Sequence, residues 1–256
     1  MNLCVEQLSF AYRHGTPVLR EVSVEIRAGR VTGFFGPNGS GKSTLLRCLN
    51  RSLRPQSGTV RLGGKDVAKF APREIARLVA VVSQDTPVAL PFTALEVVLL
   101  GRYPHGELWQ ADSPADVRLA RECLAQMDAA ALADRPFDTL SGGERQRVIV
   151  ARALAQRTPV LLWDEPAAHL DIKHQIELYR LARGLAAEGR TVVMVCHDLV
   201  IAPLFMDHAV LLHQGGIEMA GPAAESLSPE RIHKVFGVMA RFDWAGKYQA
   251  GVTLPK

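Results

Sequence analysis

The chain has 256 residues, of which 22% are charged and 48% hydrophobic, with a formal net charge of +4. That balance excludes a disordered chain, and the length is ample for a buried core, whether as one large domain or two small ones. Lys and Arg are scattered rather than gathered into a stripe, so the charge reads as a mildly basic solvated surface and not as a nucleic-acid face.

The first ten residues, MNLCVEQLSF, hold no basic segment followed by an apolar run, so no secretion signal is expected. Residues 3–10 read as a strand, and Val22, Val24 and Ile26 alternate with Glu21, Ser23 and Glu25, the period of a strand with one face in a core. Together they predict an antiparallel β element. Residues 31–35 are an apolar run that feeds into a glycine-rich loop, and residues 42–50 can continue as a helix. Three more short apolar runs, 79–82, 160–163 and 191–196, suit strands buried on both faces of a parallel sheet.

Between about residues 114 and 135, Val117, Ala120, Leu124 and Met127 recur at spacings of three and four, one face of a helix. Residues 86–157 are therefore expected to be a mainly helical insertion. Pro91, Thr93 and Glu96 interrupt the richest apolar stretch, so none reaches the roughly 18 to 20 residues of a spanning helix. Asp171 can cap a helix with Ile172, Ile176, Tyr179 and Leu185 broadly on one face, and residues 229–236 offer a short helix near the end. Cys4, Cys48, Cys123 and Cys196 are too far apart for a CxxC motif and fit small core residues in a reducing compartment.

GPNGSGKST, comprising Gly36, Pro37, Asn38, Gly39, Ser40, Gly41, Lys42, Ser43 and Thr44, matches GxxxxGK[ST] in full. Glycines let several backbone N–H groups turn toward one anion, and the following helix adds its positive end. Lys42 is placed to neutralise β and γ phosphates and Ser43 to bind Mg²⁺. Asp164 and Glu165 end the run 160–163, where two carboxylates are costly without a cation or a reacting water nearby. Asp164 is assigned to Mg²⁺, and Glu165 is the candidate general base for the attacking water. In LSGGERQR, residues 140–147, Ser141 and Glu144 have capping-box spacing for a helix over 144–155. Such a helix start, with Gly142 and Gly143 free of bulky side chains, is also an anion site.

The phosphate loop, LSGGERQR and LLWDEP, in that order, resemble the ATP-binding cassette ATPases, and the resemblance covers roughly residues 3–240. It implies an α/β fold: a P-loop NTPase core with a mainly parallel sheet, an N-terminal antiparallel β element and a helical insertion subdomain. One domain would then span 1–256, with core from about 1–85 and 158–225, the helical subdomain with the signature over about 86–157, and a short tail over 226–256. By the same resemblance Tyr12 looks like the aromatic on which adenine stacks, and Gln84 like the glutamine that touches Mg²⁺ and senses the γ-phosphate. His197 looks like the histidine that hydrogen-bonds the γ-phosphate, and Leu170-Asp171 like a loop that crosses a dimer interface. Ser141, Gly142 and Gly143 would complete the ATP site of a second subunit. Departures are mild: Ser83 stands where proline often precedes the glutamine, Trp163 is bulkier than the usual aliphatic residue, and Ala167 replaces a common hydroxyl residue.

Family cassettes work as head-to-tail pairs, so a homodimer using ATP and Mg²⁺ is implied, with no nucleic-acid partner. Pro91 to Thr93 (PFT), Gly101 to His105 (GRYPH), His169 to Gln175 (HLDIKHQ) and Val235 to Val238 (VFGV) resemble ATPases of importers for ferric siderophores, haem and cobalamin. This implies a transport-coupled ATPase at the cytoplasmic face of a membrane, held there by two polytopic permease subunits and served by a substrate-binding protein. The apolar residues Leu95, Val98 and Leu99 are expected to be partly a docking face for the permease. A cassette for another solute, an exporter, and a soluble cassette acting on ribosomes or DNA are the competing expectations.

Overall fold

The computed structural model describes residues 1–13, 15–83, 92–106, 113–168, 170–242 and 250–253. In chain order the strands and helices begin with β1 (Leu3–Phe10), β2 (Leu19–Ile26), β3 (Val31–Phe35), α1 (Lys42–Leu49), β4 (Ser57–Leu62) and β5 (Lys65–Asp66). Then follow α2 (Pro72–Leu78), β6 (Val79–Val82), α3 (Ala94–Leu99), α4 (Pro114–Gln126), α5 (Gly142–Ala155), β7 (Val160–Asp164) and α6 (Ile172–Ala187). The chain closes with β8 (Thr191–Val195), β9 (His208–His213), β10 (Gly216–Pro222), α7 (Ala223–Ser226), α8 (Pro229–Phe236), β11 (Met239–Phe242) and β12 (Ala250–Thr253). Two compact units share it: Met1–Lys69 with Ile176–Lys256, and Phe70–Gln175.

In the first unit an antiparallel sheet runs β2-β1-β4-β5. Val22, Val24 and Ile26 point inward while Glu21, Ser23 and Glu25 face solvent, as the alternation predicts. The β1–β2 register shifts where Gln7 and Glu21 take positive φ, and serine hydroxyls satisfy the displaced amides: Gln7 N donates to Ser23 Oγ at 2.8 Å and Glu21 N to Ser9 Oγ at 3.0 Å. A second sheet places β3 between β8 and β9, parallel to both, with β10 antiparallel on β9. Every residue of β3 and β8 is buried, because apolar side chains on both faces can be covered by other layers. Each such aliphatic or aromatic side chain contributes about 1.5–3 kcal/mol by leaving water.

In the second unit β6 and β7 pair in parallel from Val79–Val160 to Val82–Trp163. Helix α5 packs on α3, α4 and β6, and Val148, Val150, Ala151 and Leu154 are among its buried residues. The family of folds expected from the sequence is the one observed: α/β, with a parallel sheet, an antiparallel N-terminal sheet and helices. Among the described residues, no helix is long and apolar enough to cross a membrane.

Several boundaries differ from the sequence expectation. The helix expected over 114–135 stops at Gln126, because Asp128 turns the chain at φ 50 and a short 3-10 helix, Ala130–Leu132, follows. Helix α5 starts two residues earlier than expected, at Gly142. Ile172, expected on the buried face of α6, is 65% exposed, since it is the first residue of the helix and lies ahead of its packed stretch. Of the three residues expected to be partly a docking face, Val98 and Leu99 are buried in the core and Leu95 is half-buried; the exposed apolar residues just beyond them are Leu100 and Tyr103. Strands β4, β9 and β10 lie outside the segments expected to be strands. Cys48, Cys123 and Cys196 are buried and Cys4 is partly so; burial pushes the Cys48 thiol up to about 12.

Candidate functional site: a phosphate loop, an acidic strand end and a capped helix

In the first unit the glycine-rich loop leaves the end of β3. Gly36 sits at φ 149, and a Cβ there would lie 2.2 Å from the Leu212 carbonyl oxygen and 2.7 Å from Ser40 Oγ, so a side chain is excluded by backbone. Lys42 opens α1 and is only 4% exposed. Its ammonium donates to the carbonyls of Gly36 at 2.8 Å and Pro37 at 3.0 Å, which is how a cation is tolerated at that depth. Ser40, 3% exposed, carries a hydroxyl with no hydrogen-bond partner among the described residues. A buried cation, an unpartnered hydroxyl and a loop too tight for a side chain at Gly36 together suit a phosphate chain.

Tyr12 and Thr44 are brought together, hydroxyl to hydroxyl at 3.3 Å. The Tyr12 ring stands edge-on to Phe10, with centroids 4.9 Å apart, and remains 47% exposed, so an aromatic surface is held beside the start of α1. His197 also lies at this edge of the sheet. Phe34 pairs with Val195, and Cys196 N donates to Phe34 O at 3.0 Å, so the loop after β3 and the loop after β8 leave neighbouring strand ends. That edge, at the carboxyl ends of parallel strands, is where open α/β sheets bind ligands. Asp198 fastens the turn beyond His197 by accepting from the amides of Val200, Ile201 and Ala202 at 2.7–3.1 Å.

In the second unit β7 ends in Asp164, 3% exposed, directly after Trp163, which is fully buried. The bulky Trp163 is thus accommodated in the core, with its Nε1–H lacking a partner among the described residues. Glu165 takes φ 50, a left-handed conformation that costs a non-glycine residue about 1–2 kcal/mol. The loop around it is tied at several points. Ala168 N donates to Glu165 O at 3.1 Å, the 8% exposed Gln146 donates to Pro166 O at 3.0 Å, and Gln175 Nε2 donates to Leu170 O at 2.9 Å. Gln84 and His169 lie outside the described residues, as does Pro91.

The signature segment forms the N-terminus of α5 with a complete capping box. Ser141 Oγ accepts from Glu144 N at 3.3 Å, and Glu144 accepts from Ser141 N at 2.8 Å. The Ser141 amide, then the Ser141 hydroxyl and Arg135, hold the Glu144 carboxyl below its usual range. Gly142 and Gly143 follow the cap, and their amides fall outside the intrahelical ladder. Asp171 caps α6: its Oδ1 accepts from the backbone amide of His174 at 2.9 Å and lies 2.8 Å from that residue's Nδ1.

Sequence reasoning missed the side chains that hold these loops, namely Gln146, Arg147, His174 and Gln175. One signal was available: Gln146 occupies the apolar stripe of α5 with Val150 and Ala153, and a polar residue on such a stripe needs a partner inside. His174 and Gln175 sit inside the HLDIKHQ segment, but nothing in their spacing indicates what they touch.

A phosphate loop, an acidic strand end and a capped glycine pair on an α/β fold define an ATP-binding cassette. A sequence profile of the ABC transporter family matches residues 19–168, and the chain belongs to that family as an ATP-binding, ATP-hydrolysing component. It is 45% identical over 225 residues to the hemin import ATP-binding protein HmuV of Rhodococcus jostii, covering 88% of this chain and 76% of that protein. It is 37% identical over 240 residues to the iron(3+)-hydroxamate import ATP-binding protein FhuC of Bacillus subtilis, covering 93% and 89%. Among solved structures, a dimeric ATP-binding cassette in a post-hydrolysis state, bound to ADP and Pi, matches with a TM-score of 0.77 at 30% identity over 86% of this chain and 98% of that one.

Proposed function

We propose that this chain energises the uptake of a metal chelate, a ferric siderophore, haem or cobalamin. It works as a pair of cassettes bound at the cytoplasmic face of the membrane to two polytopic permease subunits, with a substrate-binding protein delivering the cargo. What supports this above all is the 45% identity, over 88% of the chain, to an ATP-binding protein of hemin import.

In this reading Lys42 moves from the Gly36 and Pro37 carbonyls onto the β and γ phosphates, and the loop amides donate to the remaining phosphate oxygens. Tyr12 offers its exposed face to adenine. Glu165 takes the proton of the attacking water, and His197, just beyond β8, donates to the γ-phosphate. The capped N-terminus of α5 in a second copy, with Ser141, Gly142 and Gly143, meets the same γ-phosphate. Ser43, Asp164 and Gln84 all offer oxygen donors, which fits Mg²⁺, and that ion when bound neutralises charge on the transferring phosphoryl group. Closure of the pair on ATP and its release after hydrolysis then shift the permease between two states.

The test is a pull-down of the Glu165→Gln variant with ATP from detergent-solubilised membranes of the source organism. Recovery of a polytopic membrane protein is expected. Recovery of ribosomal or DNA-bound proteins alone would contradict an import role while leaving the ATPase chemistry intact.

A further inference from the structure

Three segments of the second unit converge on one imidazole. Arg147, on α5, donates from Nη1 to the backbone carbonyl of Asp128 at 2.8 Å and lies 3.3 Å from His174 Nε2. His174, on α6, lies 2.8 Å from Asp171 Oδ1 through its other nitrogen. The Asp128 carboxylate stands 3.5 Å from Arg147 and 3.8 Å from His174 Nε2. A guanidinium has no acceptor, so Nε2 accepts from Arg147; the proton is then on Nδ1, which donates to Asp171. In that arrangement the ring is a relay with one defined tautomer.

The relay joins two helix starts. Arg147 lies six residues past the Ser141 cap of α5, and His174 lies three past the Asp171 cap of α6. Its inner members are sheltered, with side chains 15% exposed for Arg147 and 21% for His174, while the Asp171 side chain is 67% exposed. Ile172 beside it is 65% exposed, although apolar. The His174 amide and ring N–H together hold the Asp171 carboxyl below its usual range, so it stays a charged acceptor. An open edge of one carboxylate and one isoleucine is thereby fixed relative to the helix that carries Ser141 to Gly143.

We propose that His174 is a positioning residue that sets the distance between the signature end of α5 and the Asp171–Ile172 edge, so that a second copy of the chain meets both as one surface. This rests on the paired-cassette reading above. His174 touches neither nucleotide nor reacting water; it acts through Arg147 and Asp171. Removing it should leave ATP binding to the single chain unchanged and weaken only pairing.

The experiment uses the full chain carrying Glu165→Gln, with ATP and Mg²⁺, and reads two quantities: nucleotide affinity below the pairing concentration and the pairing constant by sedimentation. His174→Asn keeps a donor toward Asp171, and His174→Gln keeps an acceptor toward Arg147; each breaks half of the relay. Both are expected to bind nucleotide like the parent and to pair about tenfold more weakly, the effect of losing one charge-assisted hydrogen bond. Pairing equal to the parent in both variants overturns the proposal, as does an equal loss of nucleotide affinity, which would make His174 a general structural residue. If the Glu165→Gln parent itself fails to pair with ATP, the paired-cassette reading fails and the proposal falls with it.

Discussion

The ammonium of Lys42 lies 2.8 Å from the carbonyl oxygen of Gly36, six residues earlier, and this bond spans the whole glycine-rich loop. The same nitrogen also reaches Pro37, so the cation is held over the loop by backbone acceptors that an anion can replace. Lys42→Ala removes the charge together with the charge-assisted bonds to phosphate proposed for it. Nucleotide affinity should fall about 100-fold or more, measured by equilibrium titration with a fluorescent ATP analogue. Unchanged affinity would remove Lys42 from the site.

The loop's glycines are not equivalent. At Gly36 a Cβ would meet the Leu212 backbone at 2.2 Å, whereas at Gly39, with φ 78, a Cβ would meet nothing within 4 Å. Gly36→Ala should cost about 2–4 kcal/mol, because backbone cannot yield cheaply, and Gly39→Ala only about 1 kcal/mol, the strain of a left-handed residue. Urea unfolding of both variants checks the order; equal losses would mean that crowding does not shape the loop.

Glu144 ties the signature helix to acid stability. Its folded carboxyl lies below the ordinary value of 4.5, so its contribution is fully present above about that pH and is lost as pH falls through the folded value. Glu144→Gln keeps an acceptor for the Ser141 amide but does not titrate. The stability difference between wild type and variant should therefore be constant near neutrality and shrink toward acid pH. A difference that is flat down to about pH 3 would contradict the depressed carboxyl.

Trp163 fills the end of β7 with an indole N–H that has no partner among the described residues. Trp163→Phe removes that orphan donor along with some volume, and the two effects oppose each other. The variant should unfold within about 1 kcal/mol of wild type, against about 3–5 kcal/mol lost by Trp163→Ala. A loss for phenylalanine as large as that for alanine would show that the indole N–H is satisfied.

Much of this arrangement was legible in the sequence because it is local. The phosphate loop, the capping box of Ser141 and Glu144, and the acid pair ending β7 are each set within a few residues, and strands such as Val31–Phe35 announce themselves as unbroken apolar runs. What stayed hidden depends on long-range contact. The bond from Gln146 to Pro166, for example, spans 20 residues. The early end of α4 turns on Asp128 adopting a positive φ that an aspartate in a helical pattern does not advertise. Strand β10 is hard to read because it exposes much of its surface and carries no strict alternation, whereas the buried apolar run Ala209–Leu212 of β9 was a legible signal.

The central claim is that Glu165, held at φ 50 after the buried Asp164, drives ATP hydrolysis in this chain. The measurement that tests it most directly is ATP turnover by Glu165→Gln at saturating ATP and Mg²⁺, with nucleotide affinity measured on the same preparation. Affinity close to wild type with turnover reduced about 100-fold or more is the predicted result, the loss expected on removing a general base. Turnover at the wild-type rate would contradict it and take the catalytic role away from Glu165.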